Sequence, residues 1–357
     1  MNRGFIVTLV TVSLSFTAFL GGDLISQKDF HRSPNSISTG SILDKFNDSD
    51  SDSGPQTESS DTLKLLSSRN VLSPVMSVEK NSILYYEKGT GKVFELDFKD
   101  LVEKSISDAP LANLTKTIWS PSRKDVVSVF SYPEGNRHKY FNYKTKGSVE
   151  FEANIKSLVF SPDGSQVAYF GNQENFWGIF LSTPDGSSSK LLLPSRLESN
   201  EVYWPSNESL AFKTDNSYGS DLYSLSKTGE IRKILETKNK LEVKWSKNGS
   251  QFLFSQKEGT ETNLFYKNLG SESETSLGVS TSASKCDWSI DNKTVVCGVP
   301  KPQASGDEVY EINLDGTKKL LSSPTTKIDT AELFLSGLDD YVVILNSLDN
   351  KLYVLKK

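Results

Sequence analysis

From residue 62 onward one pattern of apolar and polar positions recurs along the chain. A short apolar stretch ends in an aromatic residue, a polar turn follows, and a second apolar stretch leads to a polar gap. The aromatic and its turn read Trp119-Ser-Pro-Ser, Phe160-Ser-Pro-Asp-Gly, Trp204-Pro-Ser-Asn, Trp245-Ser-Lys-Asn-Gly and Trp288-Ser-Ile-Asp-Asn, at spacings of 41, 44, 41 and 43 residues. A degenerate copy begins at Leu335, and another is placed at Val78-Glu-Lys-Asn. A second marker holds the same period in another phase, as strand-like segments at 93–98, 139–144, 178–183, 221–226, 263–268, 308–313 and 351–356. Both markers count seven.

Each unit reads as strand, turn, strand, polar loop, strand, Gly turn, strand. Pro presets φ in the turn, Asp bonds back to the main chain, and Gly takes the left-handed position. β-Branched and aromatic residues supply strands of about five residues. Residues 62–357 shared among seven copies give about 42 each, the length of a four-stranded propeller blade. The fold class expected is all-β, a seven-bladed β-propeller. The seventh unit ends after its third strand. Residues 61–68 (DTLKLLSS) match 316–323 (GTKKLLSS), which opens an outer strand. The N-terminal segment is therefore expected to supply the missing edge.

The motif at 160–164 and its weaker copies at 119, 204, 245 and 288 resemble the WSPDG-type repeats of TolB-like propellers, which also build the propeller of prolyl oligopeptidase-like peptidases. The resemblance spans residues 62–357 and is specific for fold rather than function. It implies a propeller whose periplasmic relatives bind other envelope proteins. The chain departs from that pattern, because an anchor and a tether stand where a globular N-terminal domain would be expected. A hydrolase domain like that of the peptidases is not expected either.

Upstream of the repeat, Phe5 to Leu20 is an apolar run free of charge, with Arg3 before it. It reads as a membrane segment with everything after it extracytoplasmic. A retained signal anchor over residues 1–22 is expected, with a cleaved signal peptide as the alternative. Residues 23–61 read as an acidic tether rich in Ser and Asp. Asp48, Asp50 and Asp52 have the first calcium-loop spacings, but Ser53 and Ser59 stand where the loop needs Gly and Glu.

Charge narrows the partners. The chain carries 40 basic and 45 acidic residues, with no excess of cations for nucleic acid. With only two histidines, His31 and His138, and two cysteines, no metal site or other cofactor is expected. No Gly-x-Ser-x-Gly, HExxH or CxxC occurs. Gly89-Thr-Gly-Lys92 lacks the upstream Gly of a phosphate loop and reads as a hairpin. Asp287 and Glu201, near inner strands, are the candidates for an axial hydrolase or lyase. Asn47, Asn113, Asn207, Asn248 and Asn292 begin N-x-Ser/Thr triplets.

Cys286 and Cys297 are expected to face each other across a hairpin turning at 290–293. Opposite Cβ atoms are close enough for a disulfide, with two core thiols as the alternative. Trp119, Trp204, Trp245 and Trp288 hold the repeat position and should pack between blades. Trp177 stands outside it, in what reads as a loop over 171–177 beside Phe176. Tyr132 and Tyr218 occupy equivalent loops, with Asn136, Arg137 and His138 near Tyr132. Together these seven form the candidate partner-binding patch. The function expected is a monomeric, non-enzymatic platform for another envelope protein. An axial enzyme or a ligand sensor is the alternative.

Overall fold

The computed structural model describes residues 63–173, 175–196, 200–302 and 305–357. The membrane segment expected at 5–20 and the tether expected at 23–61 lie outside the described residues. Among those described, no helix is long and apolar enough to cross a membrane.

Seven four-stranded antiparallel sheets follow one another along the chain, forming a seven-bladed β-propeller. Blades 1 to 6 are built from residues 71–107, 114–150, 154–194, 200–238, 242–280 and 286–322, with strands added from the inside outward in chain order. Blade 7 takes its three inner strands from Thr330–Leu335, Tyr341–Asn346 and Lys351–Lys356. Lys64–Leu65 pairs antiparallel with the last of these, Lys64 opposite Val354. Residues 66–71 then cross to blade 1, held by Leu66 N–H to Leu352 O (2.8 Å) and Val71 N–H to Asn350 O (2.7 Å). Arg69 braces this crossing through Glu87 (2.9 Å) and Glu103 (2.6 Å).

The middle strands show why the apolar runs are continuous rather than alternating. Val126–Val127, Ala168–Phe170, Phe252–Phe254, Val295–Cys297 and Val342–Ile344 are buried on both faces, because each blade is covered by a neighbour on either side. Outer strands such as Glu103–Ser107 and Ser148–Glu150 carry polar, exposed residues, as unpaired edges should.

The repeat position plugs the gap between blades. Trp119 packs against Tyr86 of blade 1, Phe160 clusters with Val127 of blade 2, and Trp204 with Phe170 of blade 3. Trp245 packs on Leu222 of blade 4, Trp288 on Leu253 of blade 5, and Leu335 on Val296 of blade 6. Met76 completes the ring against Val343 of blade 7. Placing the first copy at Val78 was therefore two residues out of phase. Ser77 N–H bonds Ser82 O just as Ser120 N–H bonds Asp125 O and Ser161 N–H bonds Gln166 O, which aligns Met76 with Trp119 and Phe160. An aliphatic thioether in place of the aromatic hid the true register.

The turn after the plug is hydrogen-bonded as its residues require. In blade 3, Ser161 Oγ accepts from Gln166 N–H (3.0 Å) and donates to Asp163 Oδ1 (2.6 Å), while Gly164 adopts φ +74°. In blade 6 the equivalent turn sets Cys286 opposite Cys297 and Trp288 opposite Val295. The two sulfurs are bonded, with Cα atoms 4.1 Å apart. Breaking this bridge by Cys286→Ala with Cys297→Ala should lower stability by about 2–3 kcal/mol, given the short loop it closes. The check is a denaturation midpoint beside intact mass before and after reduction. A native mass that does not rise by two hydrogens on reduction would show that the thiols stay free.

Candidate functional site

Strands that alternate in direction give the ring two unlike ends. Turns from first to second strands emerge at one end, here the turn face. Hairpins from second to third strands emerge at the other, the hairpin face. The central channel joins them.

On the hairpin face the candidate residues fall into three groups. Phe176 (65% exposed) and Tyr218 (88% exposed) stand free at the tips of blades 3 and 4. Tyr218 is held by an Asx turn, its N–H bonding Asn216 Oδ1 at 2.8 Å. Gly219, at φ +149°, ends the same hairpin. Tyr132, Asn136 and Arg137 sit on the blade 2 hairpin, where Tyr132 pairs with Gly135 and Asn136 with Ser131. The Arg137 guanidinium lies 4.9 Å from the Tyr132 ring centre and bonds Glu134 at 2.7 Å. A polar cleft of about 260 Å³ runs beneath, between Glu134–Arg137 and the 150–154 link to blade 3.

Two residues are placed differently from the sequence reading. The stretch read as a loop over 171–177 is a tight hairpin. Strands Val167–Gln173 and Phe176–Ser182 run nearly to its tip, and Trp177 pairs with Asn172. Trp177 is half-buried, stacked on Phe170 at 5.4 Å with Lys156 Nζ 5.9 Å from its ring. The free aromatic is Phe176. His138 alternates inward and is only 5% exposed. Its Nδ1 is buried without a partner, and burial, with Lys116 nearby, pushes its pKa down to about 4. His138 is thus a neutral core residue, unable to touch a partner.

The channel wall is set by the inner strands. Counting three residues back from each plug gives Ser73, Lys116, Ser157, Glu201, Glu242, Lys285 and Glu332. Most are tied to neighbours. Ser73 Oγ accepts Thr117 N–H at 2.9 Å, and Ser157 Oγ accepts Val202 N–H at 3.1 Å. Glu201 pairs with Lys213 at 2.8 Å, and Glu242 accepts from Ser282 Oγ. Lys285 is clamped by Asp307 (3.1 Å) and Asp329 (2.6 Å). Asp287, one position before its plug, accepts Leu335 N–H at 3.0 Å and lies 3.9 Å from Lys247. Asp287 and Glu201, the acids singled out from sequence, are therefore engaged in bracing contacts.

Glu332 differs. It keeps solvent contact inside the channel, yet protein surrounds it on most sides, and this loss of bulk water pushes its carboxyl up despite Lys244 and Lys116. Those lysines belong to blades 5 and 2, neither adjacent to blade 7, so the three meet only across the axis. Glu332 was missed in sequence because its copy of the repeat is degenerate; the offset from Leu335 alone would have located it. Its charged neighbours in that field are both cations, which oppose the rise. Among the described residues no three His, Cys, Asp or Glu side chains gather to hold a metal.

No known protein family matches the chain by sequence, and neither does any curated protein. Solved structures do match in fold. An oligogalacturonate lyase in complex with manganese superposes at TM-score 0.63 with 12% identity, over 85% of this chain and 95% of that one. A second oligogalacturonate lyase, from Vibrio parahaemolyticus, gives 0.61 with 11% identity, covering 82% and 93%. The β-propeller domain of the Trilobed protease from Pyrococcus furiosus gives 0.57 with 13% identity, covering 82% and 95%. At this identity the likeness concerns the propeller alone.

The His138 environment makes stability depend on pH. Its folded-state pKa, about 4, lies below the ordinary 6.5, so the unfolded chain binds the proton more readily. Stability should be complete above about pH 6.5, fall as pH drops towards about 4, and lose on the order of 2–3 kcal/mol across that window. Urea midpoints measured across this range for the wild type and His138→Leu should show a flatter curve in the variant. Parallel curves would mean that His138 takes up its proton as readily in the fold as in the unfolded chain.

Proposed function

We propose that the protein is a membrane-anchored, extracytoplasmic, non-enzymatic platform that holds another envelope protein against the hairpin face. The observation that carries this reading is the pair of large aromatics, Phe176 and Tyr218, standing exposed at the hairpin tips of adjacent blades. Aromatic residues free of their own core are favoured anchors at interfaces. Here paired strands hold them on a seven-bladed frame, which limits the entropy lost on binding. Arg137 and Asn136 on the next blade add polar contacts, and Tyr132 offers a ring already covered by a guanidinium. Trp177 supports the surface from below.

Residues 5–20 serve as the membrane segment in this proposal and 23–61 as the spacer, with residues 61–68 closing blade 7. No nucleic acid is involved, and the ring acts as a monomer. A second reading, a hydrolase or lyase working at the axis, has one observation in its favour: the carboxyl of Glu332 on the inner strand of blade 7, pushed up by loss of bulk water within the field of Lys244 and Lys116. The propeller neighbours include lyases and peptidases, which keeps that reading worth testing.

In-cell crosslinking of the full-length protein, followed by mass spectrometry, separates the two. One dominant envelope partner is expected, lost in a Phe176→Ala/Tyr218→Ala variant and retained in Glu332→Gln. Absence of any partner in all three forms would overturn the platform. Turnover of an acidic glycan that disappears in Glu332→Gln would establish the axial enzyme instead.

A further inference from the structure

Strand direction decides where the chain enters the ring. In blade 7 the turn after the plug is closed by Ser336 N–H to Tyr341 O, and Tyr341 pairs with Lys356 beside it. Lys64 and Leu65 pair with Val354 and Tyr353, so the closing strand starts at the turn-face end and runs toward the hairpin face. Leu63, the first described residue, therefore stands at the turn face on the outer edge of blade 7. Residues 1–62 lead into the ring at that point.

The turns around this entry differ from those elsewhere on the same face. The corner of the inner turn, two residues after the plug, is Pro121 in blade 2, Pro162 in blade 3 and Lys247 in blade 5. In blades 1 and 6 it is Val78 and Ile290, and in blade 7 Leu338 follows one residue later. The outer turn, from third to fourth strand, contains one left-handed residue. It is Lys146 in blade 2, and Gly186, Gly229 and Gly316 in blades 3, 4 and 6. In blade 1 it is Leu101, at φ +53°, with Val102 beside it. A bulky side chain is disfavoured in that conformation, and nothing in the turn requires one.

Val78, Leu101, Val102, Ile290 and Leu338 are 50% to 85% exposed. All five lie on blades 6, 7 and 1, the three centred on the entry point. Among the described residues, no large apolar side chain is exposed in the turn-face turns of blades 2 to 5. The arc is held without a partner, because its turns are bonded to one another. Ile290 N–H donates to Asp339 Oδ2 at 2.8 Å, Gly337 N–H to Lys80 O at 3.0 Å, and Phe98 N–H to Asn81 O at 3.3 Å. Phe98 of blade 1 also packs on Tyr341 of blade 7, with ring centres 6.4 Å apart. The inner turns carry Glu79, Asp291, Asp339 and Asp340 against Lys80 and Lys293. Their charge gives no attraction to an anionic surface, which leaves the apolar side chains to make any contact.

We propose that this arc of the turn face rests on the neutral surface of a lipid bilayer, with Leu338, Val78 and Leu101 entering the boundary between headgroups and acyl chains. The inference rests on the membrane anchoring proposed above and adds the orientation of the anchored ring. Aliphatic side chains leave water at a depth of about 5–10 Å into that boundary. The chain that leads to the bilayer departs from the middle of the arc. Anchoring therefore keeps these turns near the lipid, and a weak contact becomes an intramolecular one. The hairpin face, with Phe176 and Tyr218, then points away from the membrane toward its partner.

Full-length protein reconstituted into phosphatidylcholine vesicles tests this. The two native cysteines are bonded and buried, so a single Leu338→Cys or Tyr218→Cys change offers one thiol for an environment-sensitive fluorophore. Lipids carrying a quencher near the headgroup–acyl boundary should quench the label at 338 and spare the label at 218. Adding Val78→Ser and Leu101→Asn to the 338-labelled protein should abolish the quenching while the protein still floats with the vesicles. Exchanging part of the lipid for phosphatidylglycerol should bring no gain. Equal quenching at 338 and 218, or none at 338 in protein that floats, would overturn the proposal and leave the anchor standing. Protein that does not float with the vesicles would overturn the anchor and this inference together. Quenching that rises with phosphatidylglycerol and falls with salt would show an electrostatic contact and overturn the apolar one. A 338 label shielded without quenching, in proportion to protein density at fixed lipid, would replace the bilayer with a second copy of the chain.

Discussion

Every blade is a thin sheet with two apolar faces, and neither can be covered from within the blade. The structure depends on answering this seven times over, with one side chain per interface wedged against the preceding blade. Trp288, fully buried, shows the arrangement most completely: it packs among Leu253, Leu264 and Val295, and its Nε1 donates to Lys244 O at 3.1 Å. A plug of this size buries on the order of 200 Å² of apolar surface. Because each plug serves two blades, loss of one loosens a pair of sheets, and the ring tolerates no interface left open.

That constraint explains what can be read from the chain. Plug and turn must recur at the blade period, so the seven units and the all-β class are visible without coordinates. Tight turn chemistry also fixes register. The turn at 290–293 sets Cys286 against Cys297 by counting alone, and sister blades repeat the pairing as Leu158 with Tyr169 and Val243 with Phe254. Legibility fails where residue type stops marking position. Met76 and Leu335 fill plug sites without an aromatic ring, so the first copy slipped by two residues and the last looked degenerate.

The candidate site was less legible, for a physical reason. A hairpin tip shifts from exposed to buried over one residue, because strand side chains alternate between faces. Phe176 and Trp177 are neighbours in sequence, yet one is free and the other lies on Phe170. Arg137 and His138 are split in the same way, one over the Tyr132 ring and the other in the core. Composition could name the tip but not the face. The channel posed a harder problem, since its charges come from blades far apart in the chain. Glu332, Lys244 and Lys116 come together only once the ring is closed.

Closure also separates the roles of the two ends. Hairpins on one face are tied mainly within their own blade, as Tyr218 is through Asn216, so each can vary in length without disturbing its neighbour. Turns on the other face are bonded across blades, from Lys247 through Asn292, Asp339 and Lys80 to Arg123. A side chain exposed on that collar is held by the same bonds that hold the ring. Aliphatic residues there expose apolar surface without filling the core. Val78, Ile290 and Leu338 do so on three adjacent turns, beside Glu79, Lys80, Asp291, Lys293, Asp339 and Asp340 of the same turns. The hairpin face presents aromatics on independent supports, whereas the turn face presents charge and apolar surface on a shared one.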